Sequence, residues 1–190
     1  SQSMSEKGRE EFLNTISSIL FIIGFVVLCL CLCVKHSNFL DIRQIFIQHF
    51  CVFKGNPLQL IGIFITPMLL TVGLVEIKYI DKDILSNLNI ILSILTAMFL
   101  SILSILCSFS KEGKNENYKQ LLKETFNTTI FEITLCLLLL FISFIVLFIG
   151  DFKESIALKI ASGTIYYLTM ITILNILVVI KRIKVLFDNQ

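Results

Sequence analysis

The 190-residue chain has no tryptophan, two prolines, two histidines and few charged residues, 16% of the total. Soluble domains carry about a quarter of their residues as charges, and here the shortage is concentrated in particular places. Five stretches of 23, 21, 27, 18 and 21 residues contain no Asp, Glu, Lys or Arg: Phe12–Val34, Gly55–Val75, Ile84–Ser110, Ile133–Gly150 and Ile160–Ile180. About 20 apolar residues of helix cross a bilayer. The absences exclude a soluble enzyme, a nucleic-acid-binding domain and a disordered tail, and predict a polytopic membrane protein.

The apolar runs show no alternation of polar and apolar residues, so they predict helices rather than barrel strands. We expect an all-α integral membrane protein, a helical bundle of four to five transmembrane helices with an amphipathic interfacial helix. The expected spans are residues 12–34, 57–77, 84–108, 127–150 and 158–180. The short connection Glu76–Asp83 predicts an antiparallel hairpin of spans two and three.

The chain divides into simple segments on this interpretation. Ser1-Gln2-Ser3 ahead of Met4 is typical of a tag remnant. The other segments are an N-terminal tail (4–11), a first membrane segment (12–34), a cytoplasmic loop with the amphipathic helix (35–56), a four-helix membrane core (57–184) and a C-terminal tail (185–190). The first segment could instead be re-entrant or partner-facing, which leaves the four-helix core unchanged.

Two stripes at helical spacing lie next to the apolar runs. Between residues 38 and 53 the apolar side is formed by Phe39, Ile42, Phe46, Phe50 and Phe53. This pattern predicts an amphipathic helix at the cytoplasmic interface, which either pads the base of the bundle or docks a partner. The stripe from Tyr118 to Phe126 predicts a helix that continues into the fourth span.

Lys and Arg are distributed unevenly between the two sides of this topology. Ten lie on the side of the C-terminus and six on the other side. Positive residues favour the cytoplasm, so we expect a cytoplasmic C-terminus. On the cytoplasmic side, the candidate residues for docking a partner are Arg43, Lys54, Lys119 and Lys181.

Small residues mark one face of the third span at three- and four-residue spacing: Ser93, Ala97, Ser101, Ser104 and Ser108. Helices in lipid approach closely through small residues, because apolar surface gains nothing by leaving lipid tails. This face predicts close helix packing, within the protomer or across an oligomer. A hydroxyl-lined pore is the alternative.

Three other residues within the spans are candidates for a pore or a gate. Pro67 lies in the middle of the second span and is expected to kink it. Glu132 lies about one turn into the fourth span, where an ionised carboxylate is unfavourable unless it is paired or hydrated. It either reaches the interface, pairs with a lysine of the preceding loop, or forms a carboxylate ring at a pore mouth in an oligomer. Asn175 is expected to hydrogen-bond to a neighbouring helix.

Catalytic and metal-binding patterns do not stand out. His36 and His49 do not form a zinc-binding pair at helical spacing, and Cys29, Cys31 and Cys33 lie inside an apolar run, where cysteine packs as a small hydrophobe. The sequence therefore predicts no enzyme activity, no metal and no cofactor.

Two stretches carry a resemblance to a known group of proteins. The first runs from Pro67-Met68-Leu69-Leu70 through Ile80-Asp81-Lys82-Asp83-Ile84-Leu85-Ser86-Asn87-Leu88 to Ile91-Leu92-Ser93-Ile94-Leu95. The second is Leu121-Leu122-Lys123-Glu124-Thr125-Phe126-Asn127, with a last span ending Val179-Ile180-Lys181-Arg182-Ile183.

Over residues 57–184 these stretches resemble the small four-helix membrane proteins of bacterial anti-phage defence loci. The membrane subunit of the Kiwa system and the membrane accessory proteins of RNA-targeting CRISPR loci belong to this group. The resemblance implies a homo-oligomer in the lipid bilayer of the bacterial inner membrane. It further implies work with a cytosolic protein partner, without direct nucleic-acid binding, to sense infection or perturb the membrane. It supplies no catalytic residue. The alternatives are a stand-alone small ion channel or transporter and a membrane assembly scaffold.

Overall fold

The computed structural model describes residues 42–52, 57–109, 116–150, 152 and 155–188, with six isolated helical positions between 16 and 27. These ranges contain α-helices and no strand, which confirms the all-α prediction. The helices are α1 (Ile42–Val52), α2 (Pro57–Ile77), α3 (Lys82–Phe109), α4 (Glu116–Ile149) and α5 (Ile156–Asp188). Apart from the six positions, the predicted first membrane segment lies outside the described residues, as do the predicted tag remnant and N-terminal tail.

Three of these helices are long and apolar enough to cross a membrane. The qualifying segments are Lys82–Ser108, Glu116–Phe148 and Ile156–Asp188, and α2 has a shorter apolar stretch, Ile61–Ile77. The molecule is therefore a helical membrane protein with three long spans and a fourth, shorter apolar helix in its described part. The stripe that starts at Tyr118 continues into the fourth span as predicted, because α4 is one uninterrupted helix.

The chain divides into two compact units, Ser1–Gln44 and Ile45–Gln190, and the packing described below is that of the second. Its long helices pack in the order α3, α4, α5, α2. The expected connection between α2 and α3 is short, but within their described lengths these two helices do not pack closely on each other. Instead α2 packs on α5, with Val75 over Gly163. The predicted hairpin is thus wrong in its packing: each of the two helices pairs with a different partner.

The core lies between α3, α4 and α5. The buried face of α3 repeats every seven residues, since seven residues make two helical turns. On α3 this face consists of Leu85, Leu92, Phe99 and Leu106. The buried core residues that α4 and α5 contribute include Cys136 and Leu139 on α4 and Ile165 and Val179 on α5, and all eight side chains are 0–1% exposed. In a bilayer this burial exchanges lipid contacts for protein contacts, so close packing rather than the hydrophobic effect holds these helices together.

The turn between α2 and α3 is held by specific polar contacts. The backbone N–H of Ile84 donates to Asp81 Oδ1 at 2.8 Å, and Lys78 Nζ lies 2.9 Å from Asp81 Oδ2. The pKa of Asp81 is lowered mainly by the hydrogen bond from the Ile84 N–H and, to a smaller extent, by the contact with Lys78. The backbone N–H of Ile80 donates to Ser162 Oγ at 3.0 Å, which fixes the turn against α5.

Candidate functional site

Glu132 on α4 and Asn175 on α5 lie inside the protomer, and both are 0% exposed. Their side chains face each other across the two helices. Neither carboxylate oxygen of Glu132 and neither polar atom of Asn175 has a hydrogen-bond partner of good geometry among the described residues. The sequence identified both residues separately, but it contained no signal that they meet. We refer to Glu132 and Asn175 as the acid–amide pair.

A buried threonine lies one helical turn before each member of the acid–amide pair. Thr128 lies one turn before Glu132, and Thr172 lies one turn before Asn175; both are at most 1% exposed. The Thr128 hydroxyl donates to the carbonyl oxygen of Glu124 at 2.9 Å, so its proton is used within its own helix. The Thr172 hydroxyl has no hydrogen-bond partner in the described part of the chain. Both of these threonines are therefore polar but uncharged neighbours of the pair in sequence.

The partly buried cation of α5, Arg182, is paired elsewhere. Arg182 Nη1 lies 3.2 Å from Glu124 Oε2, and the two side chains are 14% and 32% exposed. Arg182 lies two helical turns beyond Asn175, roughly 10 Å along the helix axis. Within the described residues no side chain of opposite charge contacts Glu132.

Helix α1 packs its aromatic side chains on α4 at Phe131, the residue before Glu132. The His49 imidazole is 0% exposed and stacks on the Phe131 ring, with centroids 3.8 Å apart and planes 2° from parallel. Phe46 meets the same ring edge-on at 5.0 Å, and Phe50 stacks on Phe64 of α2 at 5.1 Å. These contacts favour the padding role over the docking role for the amphipathic helix.

His49 is a functional candidate that was not predicted from the sequence. Burial, and secondarily the positive charge of Arg182, lower the pKa of His49 from 6.5 to about 3. The imidazole is therefore neutral near pH 7 and packs as a flat ring. One signal was available in the sequence, because His49 follows Phe46 by three residues and so shares its side of the helix.

Pro67 is buried in the middle of α2, which is helical throughout Pro57–Ile77. Proline has no backbone N–H, so a carbonyl group in the preceding turn loses its donor. The Tyr167 hydroxyl of α5 donates to the Phe64 carbonyl oxygen at 3.3 Å, three residues before the proline. Contact with α5 thus supplies a donor close to the point where the helix ladder is interrupted.

The small-residue face of α3 is exposed on the protomer. It is formed by Ser93, Ala97, Ser101, Ser104 and Ser108. The serine hydroxyls donate to carbonyl oxygens of their own helix at 2.6–3.1 Å. The helix instead buries its Leu and Phe face against α4. Within the described residues, this face does not pack closely on another helix of the protomer.

The docking candidates lie in different settings. Lys119 is exposed at the start of α4, with its Nζ 2.9 Å from Glu116 Oε1, and Lys181 is exposed near the end of α5. Arg43 is exposed on α1, whereas Lys54 lies outside the described residues. A cleft of about 450 Å³ near Lys119 is lined by Leu106, Cys107, Lys119, Leu122, Lys123 and Phe126.

No family model matches the chain, and no curated protein or solved structure matches it either. The fold and the site define a class of protein: a helical membrane protein with a buried acid–amide pair between two of its long helices.

Proposed function

We propose that the protein is the membrane subunit of a bacterial anti-phage defence system. It is a multi-pass protein of the inner membrane with a cytoplasmic C-terminus, and it forms a homo-oligomer. Together with a cytosolic protein it senses infection or perturbs the membrane. The resemblance of residues 57–184 supports the family, and the ten-to-six distribution of Lys and Arg supports the orientation.

The observation that carries the proposal is the length of α4 and α5. They have 34 and 33 residues, whereas about 20 residues of helix are enough to cross the bilayer. The excess is charged and lies at one end of the bundle, in residues 116–126 and 181–188. We call these two segments the platform. They share a small core with the end of α3, formed by Leu106, Tyr118, Leu122 and Leu186. The Glu124–Arg182 pair also joins them.

A packed platform outside the bilayer is a surface on which a soluble protein can dock. Its exposed cations include Lys119, Lys123, Lys181 and Lys184. These groups suit a partner with an acidic surface, because complementary charge speeds association and fixes its orientation.

The interior of the protomer favours a partner-dependent role over a stand-alone channel. The space between α3, α4 and α5 is filled by fully buried side chains such as Phe99, Leu139 and Ile165. Glu132 is enclosed at this interior rather than exposed at an opening. A conducting path in this proposal therefore forms between protomers, where the exposed serine face of α3 lies.

Phage plaquing on cells with and without the intact locus tests the proposal. The informative variant is Lys119→Glu/Lys181→Glu on the platform, and the matched control is Lys82→Glu/Lys159→Glu at the other end of the bundle. Each pair removes one lysine that is in an ion pair, Lys119 with Glu116 or Lys159 with Glu76. We expect the platform variant to lose protection by at least about tenfold at unchanged membrane levels, while the control keeps it.

Equal protection by wild type and platform variant would overturn the docking role, and equal plaquing with and without the gene would overturn the defence role. A membrane-potential dye in the same cells separates the mechanisms. Protection without depolarisation indicates a sensor, whereas ion flux from the chain alone would support the channel alternative.

A further inference from the structure

Among the described residues, no protein cation lies beside the carboxyl group of Glu132 to balance a negative charge there. Its side chain is 0% exposed, and both carboxylate oxygens lack a hydrogen-bond partner of good geometry among the described residues. An isolated carboxylate in such surroundings is strongly unfavourable. A stable folded state therefore requires a positive charge on or beside this carboxyl group.

The ionisable groups around Glu132 do not supply that charge. From α1, His49 is neutral near pH 7 and stacks on Phe131, the residue before Glu132. From α5, Arg182 is paired with Glu124. On α4 itself, Cys136 lies one turn after Glu132. The uncharged Thr96 of α3 approaches Cys136, so α3 supplies no cation here either.

The polar atoms at this level are suited to holding a small cation. Asn175 faces Glu132. Thr172, three residues earlier, lies on the same side of α5. Both have buried oxygen atoms without a hydrogen-bond partner in the described part of the chain. The Asn175 amide faces Glu132 with its N–H₂ group. With this amide turned over, its Oδ1, the Thr172 hydroxyl and the two carboxylate oxygens make up four oxygens, the ligand type that hard cations prefer. One carboxylate balances one positive charge, whereas a divalent ion would leave an excess positive charge buried.

We propose that Glu132, Asn175 and Thr172 form a binding site for one monovalent cation, H⁺ or Na⁺, inside the membrane bundle. The two ions share the chemistry of a single positive charge on the carboxyl oxygens, and they compete for it. The proposal is independent of the defence function, since it depends only on the interior of one protomer.

Carbodiimide labelling tests the site on the full-length protein in phospholipid nanodiscs. Dicyclohexylcarbodiimide reacts with protonated carboxyl groups in apolar surroundings, and peptide mass mapping locates the product. We expect labelling at Glu132 that slows as the pH rises. A further slowing by Na⁺, with choline at equal ionic strength as the control, identifies Na⁺ as a ligand, and no effect of Na⁺ identifies H⁺ alone. A labelling rate that neither pH nor Na⁺ changes overturns the proposal.

Thermal unfolding addresses the site without a reactive probe, and it decides the matter if the carbodiimide fails to label Glu132. A cation that binds only the folded state raises the unfolding temperature as its concentration rises. We expect a rise of about 3 °C or more per tenfold increase of H⁺ or Na⁺ while the ligand is near saturation. Glu132→Gln, which removes the charge and keeps the shape, should lose at least half of this dependence.

Glu124→Gln is the matched control, because Glu124 is an acid of the same helix that already has a protein cation. It should keep the wild-type dependence on H⁺ or Na⁺. The proposal fails if Glu132→Gln and wild type show the same dependence, or if only Glu124→Gln loses it. Neither outcome bears on phage protection, so failure here is distinguishable from failure of the proposed function.

Discussion

Glu124 and Glu132 lie on the same helix, α4, but in opposite electrostatic situations. Glu124 belongs to the platform, is partly exposed and is ion-paired with Arg182. Glu132 lies two turns deeper, is 0% exposed and faces the neutral Asn175. The difference shows that an acid near the end of the bundle can keep its charge with a protein partner and water. An acid in the interior depends on what a neighbouring helix or a bound ion provides.

The strongest challenge to this comparison is the substitution Glu132→Lys. We expect it to destabilise the folded protein by about 3 kcal/mol, because it places an unpaired ammonium group among buried side chains. Glu124→Lys should cost roughly 1 kcal/mol, since its side chain can turn toward water. Unfolding midpoints of the two variants in one detergent measure the contrast. Equal destabilisation by the two substitutions would mean that the sites of Glu124 and Glu132 are equally hydrated.

Phe131→Ala tests whether α1 is held next to the deeper level by stacking. Phe131 is 2% exposed and contacts both Phe46 and His49. Removing its ring should destabilise the docking of α1 by about 3 kcal/mol. Amide hydrogen exchange should then accelerate in α1 and not in α3. Phe144→Ala is the control, because that ring is 45% exposed and stacks on Phe148; a similar acceleration in this variant would refute the stacking account.

Acid should loosen α1 through His49. The folded-state pKa is lowered from 6.5 to about 3, so the undocked state binds more protons between these values and stability falls as the pH decreases through this window. The loss approaches about 1.4 kcal/mol per pH unit at most. Hydrogen exchange of α1 at several pH values measures it. His49→Phe keeps an aromatic ring and should remove the dependence; an unchanged pH profile in this variant would assign the effect to another group.

The smallest expected effect concerns the platform pair. A double-mutant cycle of Glu124→Gln and Arg182→Gln should give a coupling free energy of roughly 1 kcal/mol, because both groups are partly solvated. The coupling should weaken as salt increases. A coupling above about 3 kcal/mol would show that the platform end of α4 excludes water as strongly as the surroundings of Glu132 do.

The local pattern predicted much of the fold. Charge-free runs located the apolar helices, and the stripe from Tyr118 to Phe126 predicted that α4 extends beyond its apolar part. These predictions succeed because hydropathy and helical spacing are properties of a segment itself. The hairpin of α2 and α3 failed because a short connection sets which helix ends are close, not which helix surfaces pack.

The candidate site was predictable only residue by residue. Glu132 and Asn175 are conspicuous in apolar runs, and their sequence positions carry no information about their contact. The small residues of α3 share one side of the helix by their spacing alone, but their exposure on the protomer could not be inferred from that spacing. His49 was passed over because a lone histidine has no partner pattern in the sequence.

The sequence by itself determined that this is a helical membrane protein, because the transfer of each segment into lipid depends on its own residues. It also determined that an acid enters the apolar region. The tertiary structure alone decided that the acid faces an amide on α5, that Arg182 is paired with Glu124 instead, and that His49 closes over Phe131. The physical reason is that hydropathy acts segment by segment, whereas pairing depends on the order and rotation of packed helices.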